Sequence, residues 1–325
     1  MSADGSTVAV AGNTGRAWDG NSSIYVFDRA SGALLRRIGT GAAASVVTLA
    51  LSPDNRVLAA GLGGNGGVRT FDFANGAALG QDTDVADSVY ALDFRPDGRQ
   101  LAAGGADGKL RIYNLDQGRI KLAGGGRPGG GKLIAQARYS PDGQLLALGF
   151  EDSPVVEVLG ARDLSKVAQP AVGDAGPGAF SSLAWSSDGS ELWGGGSHRN
   201  GSTWLLRGWS RADFNRFTDR PAAGASVLAI STLPKQRVIF VSAEPAWGVV
   251  DHQAQVQRRT GAAVAGFNSL ARQFRISADA YKVRYWYAYK QPIFEFDLNT
   301  RAPRPAEGGD AGWVAPRLEA PGLKV

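Results

Sequence analysis

The sequence predicts an all-β fold of seven repeated units, each a small sheet of four short antiparallel strands. Three observations predict it. A turn motif centred on aspartate recurs at a near-constant interval: Asp4, Asp54, Asp97, Asp142 and Asp188 step by 50, 43, 45 and 46 residues, and Asp279 follows after 91, two further steps. Each turn separates two apolar runs that alternate with period two, the mark of half-buried strands. Glycine makes up 45 of 325 residues, about twice its usual share, and with 15 prolines this is the turn chemistry of many short strands.

The runs take the same order in every unit. The first run precedes the turn: "VVTLALS", "VYALDFR", "IAQARYS", "SSLAWSS", "VLAISTL" and "ARQFRIS". The second follows it, rich in small and apolar residues: "TVAVAG", "VLAAGL", "QLAAGG", "LLALGF", "ELWGGG", "VIFVSA" and "VRYWYA". A Gly-rich or polar turn leads to the third, whose endings fall at 25–28, 69–72, 111–114, 156–159, 206–210, 248–251 and 294–297. A weaker fourth run closes each unit. The sixth unit has the right apolar flanks near residue 234 but a degenerate turn. Four short strands in about 45 residues match one blade of a β-propeller. One such sheet cannot bury both its faces alone, so neighbours must stack.

The first unit opens at its turn, "SADG", so the blade lacks its inner strand, and an incomplete blade leaves an unpaired edge. The seven-bladed propeller is expected over 1–308, with 309–325 as a C-terminal tail or linker. Pro316 and Pro321 have no amide to offer a ladder, so only short pieces of the tail could pair. This favours a chain cut from a longer protein.

The repeat resembles the WD-repeat family along nearly all of the chain. Phe27-Asp28, Phe71-Asp72 and Phe296-Asp297 stand where that family has Trp-Asp, and Asp107 in "GGADGKL" matches its turn aspartate, a structural role. The family's Gly-His is absent, which removes its usual histidine network. A narrower resemblance lies in "FEDSPVVEVLGARDL", "SSLAWSSDGSELWGGG", "AEPAWGVVD" and "EAPGLKV". These look like the propeller region of bacterial proteins that join WD-repeats to a caspase-like protease domain. That resemblance implies service to an associated protease domain of the same polypeptide. No protease residue carries over, because a caspase-like site needs a cysteine and the chain has none.

Several stretches invite a chemical reading. "GGGRPGGGKL" satisfies most of the phosphate-loop pattern through Gly126, Gly131 and Lys132, but Leu133 stands where Ser or Thr would hold magnesium. A strand, not a helix, is expected next, so the stretch reads as a flexible connector on the propeller rim, with Arg127 and Lys132 able to meet an acidic group. The same rim is expected to carry Arg16, Trp18 and Asp19 in "NTGRAWDGNSS", His198 and Arg199 in "GSHRNGSTW", and Glu244 and Trp247 in "SAEPAWG". Trp beside Arg is the composition of a binding hot spot. Glu151 and Asp152 are adjacent, so on a strand their side chains diverge, and they read as a solvated turn rather than an acid–base couple. Tyr285, Trp286, Tyr287 and Tyr289 read as packing between blades, not as a stacking platform.

Bulk properties narrow the classes. No cysteine means no disulfide and no thiolate catalysis, and two histidines, His198 and His252, cannot make a multi-histidine metal site. No metal or cofactor is expected. Net charge is +5, but the 35 basic residues are scattered, so nucleic acid is not expected as a partner. No run of 18 apolar residues exists to span a membrane as a helix. The reading is a non-catalytic scaffold or sensory propeller, holding a protein or peptide on its rim, within a larger bacterial signalling or protease protein. The alternative is a propeller hydrolase or lactonase with its site at the central channel.

Overall fold

The computed structural model describes residues 1–2, 4–12, 20–173, 178–233, 237–243 and 246–251, and strand backbones at 256–260, 274–277, 282–286, 293–297, 302–305 and 313–314. The described residues form seven sheets, in chain order. The first has three strands, β1 (Thr7–Val10), β2 (Ser23–Asp28) and β3 (Leu34–Gly39). The second runs β4 (Val46–Leu51), β5 (Val57–Leu62), β6 (Val68–Asp72) and β7 (Ala78–Asp82). The third runs β8 (Val89–Phe94), β9 (Gln100–Gly105), β10 (Leu110–Asp116) and β11 (Arg119–Gly126). The fourth runs β12 (Ile134–Tyr139), β13 (Leu145–Phe150), β14 (Val156–Gly160) and β15 (Lys166–Ala168).

The fifth sheet holds β16 (Ser182–Trp185), β17 (Glu191–Gly195), β18 (Arg199–Asn200), β19 (Thr203–Ser210) and β20 (Phe217–Ala223). Here β18 and β20 both pair with β19. The sixth runs β21 (Val227–Leu233), β22 (Arg237–Ser242), β23 (Ala246–Val250) and β24 (Val256–Thr260). The seventh joins β25 (Phe274–Ser277), β26 (Lys282–Trp286), β27 (Ile293–Asp297) and β28 (Ala302–Pro305), with β29 (Trp313–Val314) added beside β25. The expected all-β class, the strand order within each unit and the three-stranded first blade are therefore observed.

Two compact units are present: one spans 1–244 and 248–257, the other 245–247 and 258–325. In the second unit, Arg284 on β26 faces Glu295 on β27 in register, and the two buried side chains approach to 3.4 Å. Of the tyrosine-rich run, Tyr285 and Trp286 end β26, while Tyr287 and Tyr289 lie outside the described residues.

In the first unit the serine-bearing aspartate turns close on themselves. Ser140 Oγ donates to Asp142 Oδ1 (2.5 Å) and accepts from the Leu145 amide (3.0 Å), while Asp142 Oδ1 accepts from the Gln144 amide (3.0 Å). The same three bonds recur around Asp4, Asp54 and Asp188. Gly143 takes φ of 68°, the left-handed region in which a Cβ would crowd the backbone. Consecutive turns also touch: a Cβ on Gly143 would lie 3.5 Å from Pro96 Cδ, and Arg95 Nε donates to the Gly143 carbonyl (3.1 Å).

The first strands of the second to sixth sheets lie side by side in chain order. Polar side chains stitch them at one-repeat spacing: the Tyr139 amide donates to Asp93 (2.7 Å), Trp185 Nε1 to the Arg138 carbonyl (3.1 Å), and Thr232 Oγ1 to the Trp185 carbonyl (2.6 Å). The core is divided among consecutive sheet pairs. Ile24 and Ile38 of the first sheet pack with Leu58 and Phe71 of the second, and Leu110 and Ile112 of the third with Leu146 and Leu148 of the fourth. The second-run glycines permit this stacking. A Cβ on Gly104 would sit 2.7 Å from Ile134 Cγ2, and one on Gly61 2.7 Å from Val89 Cγ1, both on the first strand of the next sheet.

One expectation is corrected. The Gly-rich stretch is not a loose connector from its start: Gly124, Gly125 and Gly126 belong to β11 and face Ile112, Arg111 and Leu110 on β10 across a bulge. Of the glycines after it, Gly129 and Gly131 have close neighbours, since a Cβ on Gly129 would fall 2.6 Å from the Phe150 ring and one on Gly108 2.0 Å from the Gly131 carbonyl oxygen, whereas Gly130 faces open space.

Candidate functional site

A bulge recurs at the start of four first strands. Pairing with the second strand skips one residue between Val46 and Thr48, between Val89 and Ala91, between Ile134 and Gln136, and between Val227 and Ala229. The skipped residues are Val47, Tyr90, Ala135 and Leu228. A bulge adds one residue against its partner strand and re-aims the side chain there. The residue before each bulge (Val46, Val89, Ile134 and Val227) is buried in the core, whereas Val47, Tyr90 and Leu228 are 41%, 39% and 62% exposed.

The four bulged residues line one concave mouth of about 500 Å³, whose wall also includes Leu133, Gln136 and Glu151. Exposed apolar residues scattered singly carry no message, but a group converging on one hollow marks an interaction surface. Glu151 is the single carboxylate of the lining and no basic residue joins it, so this mouth is built for apolar contact with a polar fringe rather than for acid–base chemistry.

The opposite ends of the first strands border a second hollow, of about 520 Å³, which includes Asp93, Arg138, Trp185 and Thr232. Burial pushes the Asp93 carboxyl up to about 6, against the opposing pull of Arg138 and the Tyr139 amide. Its oxygen stands 3.6 Å from Arg138. Among the described residues, no three His, Asp or Glu side chains gather as a metal site.

The residues singled out in the sequence are placed differently from one another. Arg16, Trp18, Asp19 and Glu244 lie outside the described residues. His198 is not a surface group: it is 2% exposed, its ring 5.0 Å from Phe180 and its Nε2 3.7 Å from Asp219. Hairpin β18–β19 turns Arg199 outward, with its guanidinium 5.4 Å from the Trp204 ring. Trp247 on β23 is 37% exposed. Lys132 is half-buried, and Arg127 is exposed, its Nη1 donating to the Asp107 carbonyl (3.0 Å). Asp107 is structural, as expected: its carboxylate meets Arg111 at 2.7 Å with both side chains buried.

Among the described residues, none of Arg127, Lys132, His198 and Arg199 lines the apolar mouth. The signal for the mouth is nonetheless in the sequence. The doublets Val46-Val47, Val89-Tyr90 and Val227-Leu228 put two apolar residues where strict alternation has room for one.

Residues 82–114 match the family model "WD domain, G-beta repeat", a stretch that runs from the last residue of β7 through β8 and β9 of the third sheet into β10. The chain is 31% identical over 143 residues to "WD repeat-containing protein SL1-17" of Schistosoma mansoni, which covers 44% of this chain and 45% of that protein. It is 31% identical over 164 residues to "Protein groucho" of Drosophila melanogaster, covering 50% of this chain and 21% of that one. The chain thus spans less than half the length of these relatives. Among solved structures, a chain of "Crystal Structure of Mitotic Checkpoint Complex" superposes with a TM-score of 0.64 at 19% identity, over 86% of this chain and 80% of that chain. The fold is propeller-like.

Proposed function

We propose that the chain is a non-catalytic protein-interaction scaffold that binds a partner at the apolar mouth of its first strands. The observation that carries this reading is the repeated bulge, which turns Val47, Tyr90 and Leu228 out of the core toward one hollow. A hydrophobic patch on rigid strands is pre-organised, so little conformational entropy is lost when a partner docks. The relatives with WD repeats are consistent with such a role. The narrower context, a sensory module serving a caspase-like protease domain in a larger bacterial polypeptide, draws on the sequence segments alone. A reading frame around this chain without a protease domain would remove it.

The test is affinity capture with the intact chain, followed by binding measurements on the captured partner. Tyr90→Ala should weaken binding by about 2 kcal/mol, roughly thirtyfold, as for a central aromatic anchor. Leu228→Ser should weaken it as well, with the unfolding midpoint of both variants unchanged. Unaltered affinity in both variants would refute the mouth. Trp18→Ala tests the rim-loop residues separately.

A further inference from the structure

A third cavity lies between the outer strands of the second and third sheets and shares no lining residue with the apolar mouth. Near its base the strands touch: a Cβ on Gly80 of β7 would lie 3.1 Å from the Ile120 amide nitrogen of β11. Beyond that point they part, leaving a wedge of about 550 Å³. The floor is fixed. Tyr113 donates its hydroxyl proton to Asp82 (2.8 Å), and Arg111 is held by Asp107 (2.7 Å).

Three features of the wedge are unspent. First, β11 ends its sheet, so among the described residues one of its edges has no strand partner. Such edges accept added strands unless a charge, proline or cover blocks them, and from Leu122 to Gly126 this edge has neither charge nor proline. Second, Leu122 on that strand is 56% exposed at the wall of the wedge, while Gly124 and Gly126 have open space where a side chain would stand. Third, Lys109 and Arg127 both line the wedge and neither makes an ion pair among the described residues. The acid nearest Lys109 in the chain, Asp107, is taken by Arg111. Asp84, on the opposite wall, sets a polarity: a carboxylate is favoured at the Lys109–Arg127 end and disfavoured beside Asp84.

We propose that this wedge is a second docking site, which takes an extended segment of a partner protein by strand addition to the free edge of β11, with an aliphatic side chain on Leu122 and a carboxylate facing Arg127 and Lys109. The backbone ladder supplies the affinity, and the charge supplies the choice of segment. The site is independent of the apolar mouth.

The probe is a fluorescein-labelled peptide GVTVTEG, whose valines and glutamate share one face of an extended strand, with GVTVTKG as its charge-reversed counterpart, read by fluorescence polarisation and by amide exchange of the full chain. The glutamate peptide should bind saturably, the lysine peptide at least about tenfold more weakly at low salt, and amides of 120–126 should exchange more slowly in the complex. The double variant Lys109→Glu, Arg127→Glu changes two exposed side chains and should invert the preference. Tyr90→Ala should leave peptide binding unchanged. Equal affinity for both peptides, no saturable binding, an unaltered preference in the double variant, or loss of binding in Tyr90→Ala would each overturn the proposal. Only the last would transfer the peptide to the mouth.

Discussion

At the scale of single residues, the recurring Ser-x-Asp-Gly turn shows how a short motif controls conformation. The serine hydroxyl bridges the aspartate and the amide five residues after it, so one small turn satisfies backbone donors that a tight reversal would leave bare. The aspartates titrate accordingly. The Asp4 and Asp188 carboxyls are lowered to about 2, chiefly by their serine hydroxyls; for Asp142 burial pushes upward but Ser140, the Gln144 amide and Arg211 outweigh it, again to about 2. A folded-state pKa below the unfolded value contributes stability that is present above about pH 4 and lost as pH falls toward 2. Asp142→Asn should therefore flatten part of the fall in urea midpoint between pH 4 and pH 2. Asp93 has the opposite sign. Its carboxyl is raised to about 6, so the native state carries a penalty that is full above pH 6 and vanishes below about pH 4. Asp93→Asn is expected to be more stable than the parent by about 1 kcal/mol at pH 8, with the gain absent at pH 3.5. Denaturant titrations at the two pH values check the sign, and a loss of stability at pH 8 would refute it.

At the scale of elements, stacking depends on a second-strand glycine with no Cβ. Gly104 faces Ile134 so closely that Gly104→Ala should cost about 1–3 kcal/mol through overpacking, whereas a substitution at Gly126, which faces open space, should cost far less. Chemical denaturation of the two variants makes the comparison. Trp209 gives a second case. It is 0% exposed, its Nε1 donates to the Ala171 carbonyl (2.7 Å), and its ring meets Phe180 edge-on at 5.0 Å. Trp209→Ala should cost about 3–5 kcal/mol. The strands were legible because alternation, β-branched residues and aspartate turns all agree with one frame, as in "VYALDFR" followed by "QLAAGG". The bulges left only a trace, the apolar doublets such as Val89-Tyr90, because a skipped residue changes pairing without changing composition and a doublet does not say which of its residues is skipped. Tyr90 therefore reads as an ordinary strand residue until its partner strand is in place.

At the scale of the whole molecule, the first unit is a linear stack in which each hydrophobic cluster joins one sheet to the next. Stability in such arrays is a sum of unit and neighbour terms. Leu148, 0% exposed and set in the cluster joining the third and fourth sheets, is a test point. Leu148→Ala should cost about 2–5 kcal/mol and should speed amide exchange in those two sheets more than in the first. Uniform loss of protection across the first unit would contradict nearest-neighbour stacking.

The amino-acid sequence by itself determined the repeat, its strand order and the aspartate turns, since each follows from local spacing and local hydrogen bonding, while the structural role of Asp107 was implied by the resemblance to the WD-repeat family. Tertiary structure alone decided which side chains converge. It buried His198 against Phe180, drew Gly124 to Gly126 into a strand edge, and brought Val47, Tyr90 and Leu228, far apart in the chain, to one mouth. The reason is physical: pattern specifies the face a residue takes within its own sheet, whereas its surroundings depend on the register of strands about 45 residues away.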